Sequence, residues 1–107
     1  MFLRLADWPE QTSFPEFLSM SWPFRVDPSE AFRQGEAVLF LDGLNEMGRG
    51  TTKKVTELCR WIHSKDGPKR IIVTCRLSNY LGHPLGDLPE AIVRDLEPAQ
   101  IDRFVRN

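Results

Sequence analysis

The sequence predicts an α/β fold with a mostly parallel sheet of about four strands. Short apolar stretches typical of strands alternate along the 107 residues with amphipathic stretches typical of helices of about three turns. The clearest strand, at positions 38–41, has four apolar residues in a row, which is typical of a parallel strand buried on both faces. We therefore expect one small domain over residues 1–107.

The predicted strands share short apolar runs that are bounded by charged or turn-forming residues. They cover residues 2–5, 36–42, 70–76 and 91–96. The first run begins at the second residue without a preceding helix or turn, so we expect the chain to be part of a longer domain. A loop rich in glycine and proline, residues 77–89, separates the last two runs.

Polar capping residues predict where the first two helices begin. Ser13 can cap a short helix that has a proline in its first turn and ends at Trp22-Pro23. Asp27 followed by Pro28 predicts a second short helix, and Glu30 is placed to complete a capping box.

Apolar stripes predict the other two helices. The third begins at Thr51 or Thr52 and runs to about residue 64. Its apolar residues recur at helical spacing and form one stripe: Val55, Leu58, Cys59 and Ile62. We interpret Lys53-Lys54 as the solvated start of this helix. A terminal helix begins near Glu97-Pro98, with an apolar face of Ile101, Phe104 and Val105.

Composition excludes several classes of protein. Fourteen basic and fifteen acidic residues give a net charge of −1, which lacks the basic excess of a dedicated nucleic-acid binder. No apolar run approaches the roughly 18 residues that span a bilayer, and a signal peptide is not evident. Two cysteines, Cys59 and Cys75, do not make a disulfide framework. We expect reduced thiols that pack as small hydrophobic groups in a cytoplasmic protein.

Carboxylates follow the clearest strand directly. The run is VLFLDGLNE at positions 38–46, so Asp42 ends the strand and Glu46 lies four residues later. Ligands of parallel α/β sheets bind at the carboxyl ends of strands. Asp42 is therefore placed for a Mg²⁺–phosphate group and Glu46 for the activation of a water. Arg76 ends the next predicted strand and would point into the same crevice, where a γ-phosphate could lie.

This run resembles the Walker B motif of NACHT domains, which belong to the STAND class of signal-transducing P-loop NTPases. The family's usual form is a hydrophobic run followed by DGLDE, and Asn45 stands where the second aspartate is usual. Arg76 matches the family's sensor 1 position. The segment LEPAQIDRF at 96–104 resembles the start of the helix that closes the nucleotide domain. The resemblance covers nearly the whole chain.

The resemblance implies a partial P-loop NTPase-like fold of three layers that binds ATP with Mg²⁺ and controls self-oligomerisation. Asp42 would hold the metal through a water, and Glu46 would orient or deprotonate the attacking water. Gly43 would leave space for the ligand, and Asn45 would keep the hydrogen bonding of the usual aspartate without its charge. Arg76 would sense the γ-phosphate.

The phosphate-binding loop G-x-x-x-x-G-K-[ST] is absent from these residues. In the family it lies upstream, on the central Walker A strand, so we expect a half site that binds ATP and Mg²⁺ only together with that segment. The nearest match, at positions 43–50, has Arg49 for the lysine and Gly50 for the Ser/Thr, and it places Glu46 where it would repel phosphate.

Simpler readings of these residues stay open. Asp42 alone could be a turn residue, and Arg76 alone a solvated strand end. Zinc binding by Cys59 and His63, with Cys75 and His83, is a minor alternative without a CxxC pair. The three tryptophans are expected to pack in a core or interface. The main rival from another class is a non-catalytic interaction or regulatory module that keeps the NTPase fold.

Overall fold

The computed structural model describes residues 1–48, 50–82, 84–93 and 97–106. Strands β1 (Phe2–Arg4), β2 (Leu39–Asp42) and β3 (Ile71–Val73) form one sheet in the order β1-β2-β3. Both neighbouring pairs are parallel, which confirms the predicted α/β class and strand direction. The strand that ends in Asp42 is the central one of the three.

The sheet is smaller than predicted. Within the described residues it has three strands rather than four, and the strands predicted at 36–42 and 70–76 are reduced to four and three residues. The predicted strand at 91–96 is wrong over residues 91–93, which form no strand and are exposed, while residues 94–96 lie outside the described part. Residues 91–93 pair with no strand of the sheet, so their polar backbone groups have no ladder partner there.

The predicted helices all form. They are α1 (Phe14–Ser21), α2 (Pro28–Arg33), α3 (Thr51–Ile62) and α4 (Pro98–Arg106). The Ser13 hydroxyl accepts a hydrogen bond from the Glu16 N–H, and the Asp27 carboxylate accepts one from the Glu30 N–H, so both predicted caps are confirmed.

The predicted capping box at α2 is only half formed. Its second half needs the Glu30 carboxylate to accept from the cap residue's own N–H. The Glu30 Oε1 atom accepts instead from the Gln34 side-chain amide, 3.3 Å away. The side chain therefore interacts along the exposed helix surface rather than back at its start.

The core lies between one face of the sheet and the helices α1, α2 and α3. Leu3, Leu39 and Leu41 point from the strands into it. Leu58 and Ile62 of α3 are buried and Val55 and Cys59 are half-buried, which confirms the predicted stripe. Four buried aromatic rings fill the space between the helices: Trp8, Phe14, Phe17 and Phe32. Trp22 and Trp61 are partly buried and pack against this core, so all three tryptophans pack as expected.

The opposite face of the sheet is largely open. Phe2, Phe40 and Ile72 are register partners on the three strands, so their side chains share this face. Phe2 is 57% exposed and Ile72 is 50% exposed. Helices α1, α2 and α3 therefore cover one face of the sheet, which differs from the expected three layers. The prediction that the run at 38–41 is buried on both faces is wrong, since Val38 is 42% exposed and Phe40 is only half-buried.

Candidate functional site

A sharp turn follows β2 and carries the predicted acidic residues. Gly43 has φ of +84°, in the left-handed region that disfavours residues with a Cβ atom. The chain then makes one 3₁₀ turn, Leu44–Glu46. A Cβ atom added at Gly43 would lie 2.9 Å from Glu46 Oε2, so the glycine also lets the Glu46 side chain fold against the turn. Gly43 thus has a steric role in shaping this loop.

Asp42 is held by a residue of the neighbouring strand end. The Thr74 hydroxyl donates a hydrogen bond to Asp42 Oδ1 over 2.7 Å. The same hydroxyl oxygen accepts from the Gly43 N–H over 3.0 Å. Asp42 is half-buried, and its Oδ2 atom accepts no hydrogen bond from the described residues. One carboxylate oxygen is therefore fixed, and the described residues leave the other available.

Two further hydrogen bonds join the turn to the segment after β3. The Leu44 N–H donates to the Thr74 carbonyl over 2.8 Å. The Asn45 Oδ1 atom accepts from the Arg76 N–H over 3.1 Å. An aspartate at position 45 could accept the same bond, so the two residue types would differ here only in charge. The structure brings Asp42, Gly43, Asn45 and the Arg76 backbone to one edge of the sheet.

The side chains of Glu46 and Arg76 are both exposed. Neither forms an ion pair with the other or with Asp42 in the described part of the chain. Convergence of the Arg76 guanidinium with the two carboxylates therefore stays a prediction, whereas the meeting of the two loops that carry them is observed.

Two residues of this edge were not predicted from the sequence as site residues. Thr74 lies two positions before Arg76 and bridges Asp42 to Gly43. Arg4, at the end of β1, is the register partner of Asp42 and brings a second exposed cation to the same edge. Thr74 is a polar residue near the end of a predicted neighbouring strand, and that position could have indicated a role at this edge. The position of Arg4 depends on strand register, which the sequence alone leaves open.

Lys54 contradicts its predicted solvated position. Lys53 is exposed, but Lys54 is only 5% exposed. The Lys54 ammonium donates to the Trp8 carbonyl over 2.9 Å and to the Met47 carbonyl over 3.1 Å. It also lies 5.4 Å from the centre of the Trp8 ring, within the range of a cation–π interaction. Lys54 thus ties the residue after Glu46 to the turn that follows β1.

The donor atoms at this edge fit a hard divalent cation with few protein ligands. Mg²⁺ prefers carboxylate oxygens and keeps several waters, and the free Oδ2 atom of Asp42 suits such a role. Among the described residues, no group of three or more His, Cys, Asp and Glu side chains could hold a metal ion. The zinc alternative also included His83, which lies outside those residues. A metal ion at the Asp42 edge would therefore take most of its ligands from groups other than these side chains.

The cysteines behave as packing residues. Both Cys59 and Cys75 are free and half-buried, and both pack against the core. Burial raises the pKa of the Cys75 thiol, against the smaller lowering effect of a hydrogen bond from the Asn45 backbone. The thiol is therefore protonated at neutral pH and is a weak nucleophile. Its place beside the candidate site is structural.

No described helix has the length and apolar character needed to cross a membrane.

The arrangement at the sheet edge combines a carboxylate with a free oxygen, a second carboxylate four residues later and two exposed arginines. Comparisons with protein-family models, with curated proteins and with solved structures found no match to this chain.

Proposed function

We propose that the edge formed by Asp42, Gly43, Asn45 and Arg76 is the metal-binding half of an ATP site in a NACHT-like NTPase domain. The observation that carries the proposal is the hydrogen-bonded junction between the turn after β2 and the end of β3. It sets a carboxylate with one free oxygen at the carboxyl edge of a parallel sheet, where ligands of such sheets bind.

Each residue has a role that follows from its chemistry. A bound Mg²⁺ would neutralise charge on the β- and γ-phosphates. Asp42 would hold the ion through its free Oδ2 atom, directly or through a water. Glu46 would accept a proton from the attacking water or orient it, since its exposed carboxylate lies on the same turn. The Arg76 guanidinium would contact the terminal phosphate.

The 107 residues contain half of the groups that such a site needs. A phosphate-binding loop supplies a lysine and a cradle of backbone N–H groups, and that motif is absent from this sequence. We therefore infer that this chain alone binds the cation weakly and the nucleotide weakly or not at all. Cytoplasmic location and control of oligomerisation in a longer protein belong to the same proposal.

A paramagnetic metal titration tests the metal role directly. Mn²⁺, a substitute for Mg²⁺, is added to the ¹⁵N-labelled chain at millimolar concentration. We expect the amide signals of Gly43, Asn45 and Arg76 to broaden first, and Asp42→Asn to abolish this broadening. Asp87→Asn is the control, because that exposed carboxylate lies in the loop between β3 and α4.

Two results would contradict the proposal, one from this titration and one from calorimetry. Broadening that is equal in the wild type and in Asp42→Asn would overturn the assignment of Asp42. Tight binding of Mg–ATP by the wild-type chain in calorimetry would contradict the half-site interpretation.

The second candidate function is a non-catalytic interaction module. The open sheet face of Phe2, Phe40 and Ile72 favours it, because a contiguous exposed apolar surface is typical of a protein contact. Self-association is the simplest form of this activity. Mn²⁺ titration separates the two candidates, since an interaction module has no need of a cation at Asp42.

A further inference from the structure

The Thr74 hydroxyl occupies a position between a donor and an acceptor. Its oxygen lies 3.0 Å from the Gly43 nitrogen and 2.7 Å from Asp42 Oδ1. Because Gly43 N–H can only donate, the Thr74 oxygen is the acceptor in that contact. The single hydroxyl hydrogen is then free for Asp42. The direction of both hydrogen bonds follows from the donor and acceptor inventory alone.

This chain of donors ends on a carboxylate. A backbone N–H that donates to a hydroxyl polarises it and strengthens the bond that the hydroxyl donates. A hydrogen bond that ends on an ionised oxygen is also stronger than one between neutral groups. The Asp42 Oδ1 atom is therefore held in one orientation relative to the sheet, and the orientation of Oδ2 is fixed with it.

The hydroxyl is not needed to hold the two strand ends together. The Leu44 N–H bonds to the Thr74 carbonyl over 2.8 Å, and the Thr74 N–H bonds to the Leu41 carbonyl over 2.9 Å. These backbone bonds fix Thr74 against β2 whatever its side chain is. The side chain therefore has a separate effect, which acts on the Asp42 carboxylate and on the Gly43 N–H.

We propose that Thr74 is a positioning residue that locks one carboxylate oxygen of Asp42 and thereby presents the other to a divalent cation. The inference rests on the proposed function and names a residue that the proposed site did not include. Thr74 donates its only hydroxyl hydrogen to Asp42, and the role assigned to it is exerted on that carboxylate.

A pair of substitutions tests this role. Thr74→Val keeps the β-branched shape and removes the hydroxyl, whereas Thr74→Ser keeps the hydroxyl and removes the methyl group. In the metal-free ¹⁵N,¹³C-labelled chain, we expect the Hα–Hβ couplings of Asp42 to show one χ1 rotamer in the wild type and in Thr74→Ser. Thr74→Val should show rotamer averaging and faster exchange of the Gly43 amide hydrogen.

The same proteins are then titrated with Mn²⁺ alone. We expect Thr74→Val to bind it about tenfold more weakly, the effect of one hydrogen bond to a charged group, and Thr74→Ser to restore the affinity. If Thr74→Val does not give the wild-type pattern of amide signals elsewhere, Thr74→Ala replaces it as the variant without a hydroxyl.

The two readouts separate this inference from the proposed function. A single Asp42 rotamer in a folded variant without the hydroxyl, or Mn²⁺ affinity equal to that of the wild type, would overturn the role of Thr74 and leave the site intact. Failure of the wild type to bind Mn²⁺ at Asp42 would overturn the proposed function, and with it the role of Thr74 toward a cation.

Discussion

At the scale of single residues, the turn after β2 is held from two sides. On one side, the Asn45 side chain accepts a hydrogen bond from the Arg76 N–H, and the Leu44 N–H donates one to the Thr74 carbonyl. On the other side, the Lys54 ammonium donates to the carbonyl of Met47, the residue after Glu46. Asp42 and Glu46 therefore stand on a segment with fixed neighbours, as a site that must present carboxylates in a defined geometry requires.

Substitution of Lys54 should be costly, because its ammonium is buried and satisfies two carbonyl groups. Lys54→Met keeps most of the side-chain length but leaves the Trp8 and Met47 carbonyls without that donor. We expect a loss of about 2 kcal/mol in the free energy of unfolding, measured by urea denaturation. Lys53→Met is the matched control, since Lys53 is exposed, and should change stability by less than about 0.5 kcal/mol.

Equal stability of these two variants would show that the buried ammonium contributes nothing net. The sequence could not predict the difference between the neighbouring lysines. Both lie at the start of a helix, and the burial of Lys54 depends on the Trp8 carbonyl, which is 46 positions away in the chain. Local periodicity carries no information about such a distant partner.

At the scale of elements, the helices were predicted better than the strands, for a physical reason. The N-termini of α1 and α2 are fixed by local side-chain caps, which are visible in the sequence. Strand length depends on the neighbour that supplies hydrogen bonds. Residues 91–93 have the apolar composition of a strand, but no described strand lies beside them, and they remain exposed without regular structure.

The site shows the same difference between local features, which the sequence predicts, and contacts between strands, which it does not. The turn at Asp42 and Gly43 and the position of Arg76 after a strand could be predicted, because a buried strand that ends in a carboxylate is a local pattern. The hydrogen bonds of Thr74 and the position of Arg4 beside Asp42 depend on register between strands. Register was not available from the sequence, so the carboxylate's hydrogen-bonding partner was missed.

The open face of the sheet makes a prediction about association. Phe2, Phe40 and Ile72 form an apolar row across all three strands, and the Phe2 and Phe40 rings stack with their centres 5.3 Å apart. We expect the chain to self-associate at high micromolar concentration, measured by sedimentation equilibrium, because exposed apolar surface of this kind favours burial.

Ile72→Lys should weaken that association at least about tenfold, since a charge within the row, at its β3 end, opposes burial. Leu81→Lys is the control, because Leu81 is also exposed but lies in the loop outside the sheet. An equal effect of the two substitutions would mean that the sheet face is not the contact surface.

At the scale of the whole molecule, the described core residues all lie within the first 88 positions. The last residue that packs against the core in the described part of the chain is Leu88. Beyond it, Ile92, Val93, Ile101 and Val105 are between 47% and 97% exposed. The amino-terminal segment, by contrast, is integrated, since β1 pairs along its whole length with β2.

Removal of residues 94–107 should therefore have little effect on the stability of the remainder. The α4 side chains that the structure describes are exposed and bury little apolar area, so we expect the free energy of unfolding to fall by less than about 1 kcal/mol. Urea denaturation of the shortened chain, compared with the full chain, measures this. As a control, Leu85→Ala should cost about 2–4 kcal/mol, since Leu85 is 2% exposed. A loss on shortening as large as that of Leu85→Ala would show that α4 packs on the core in solution.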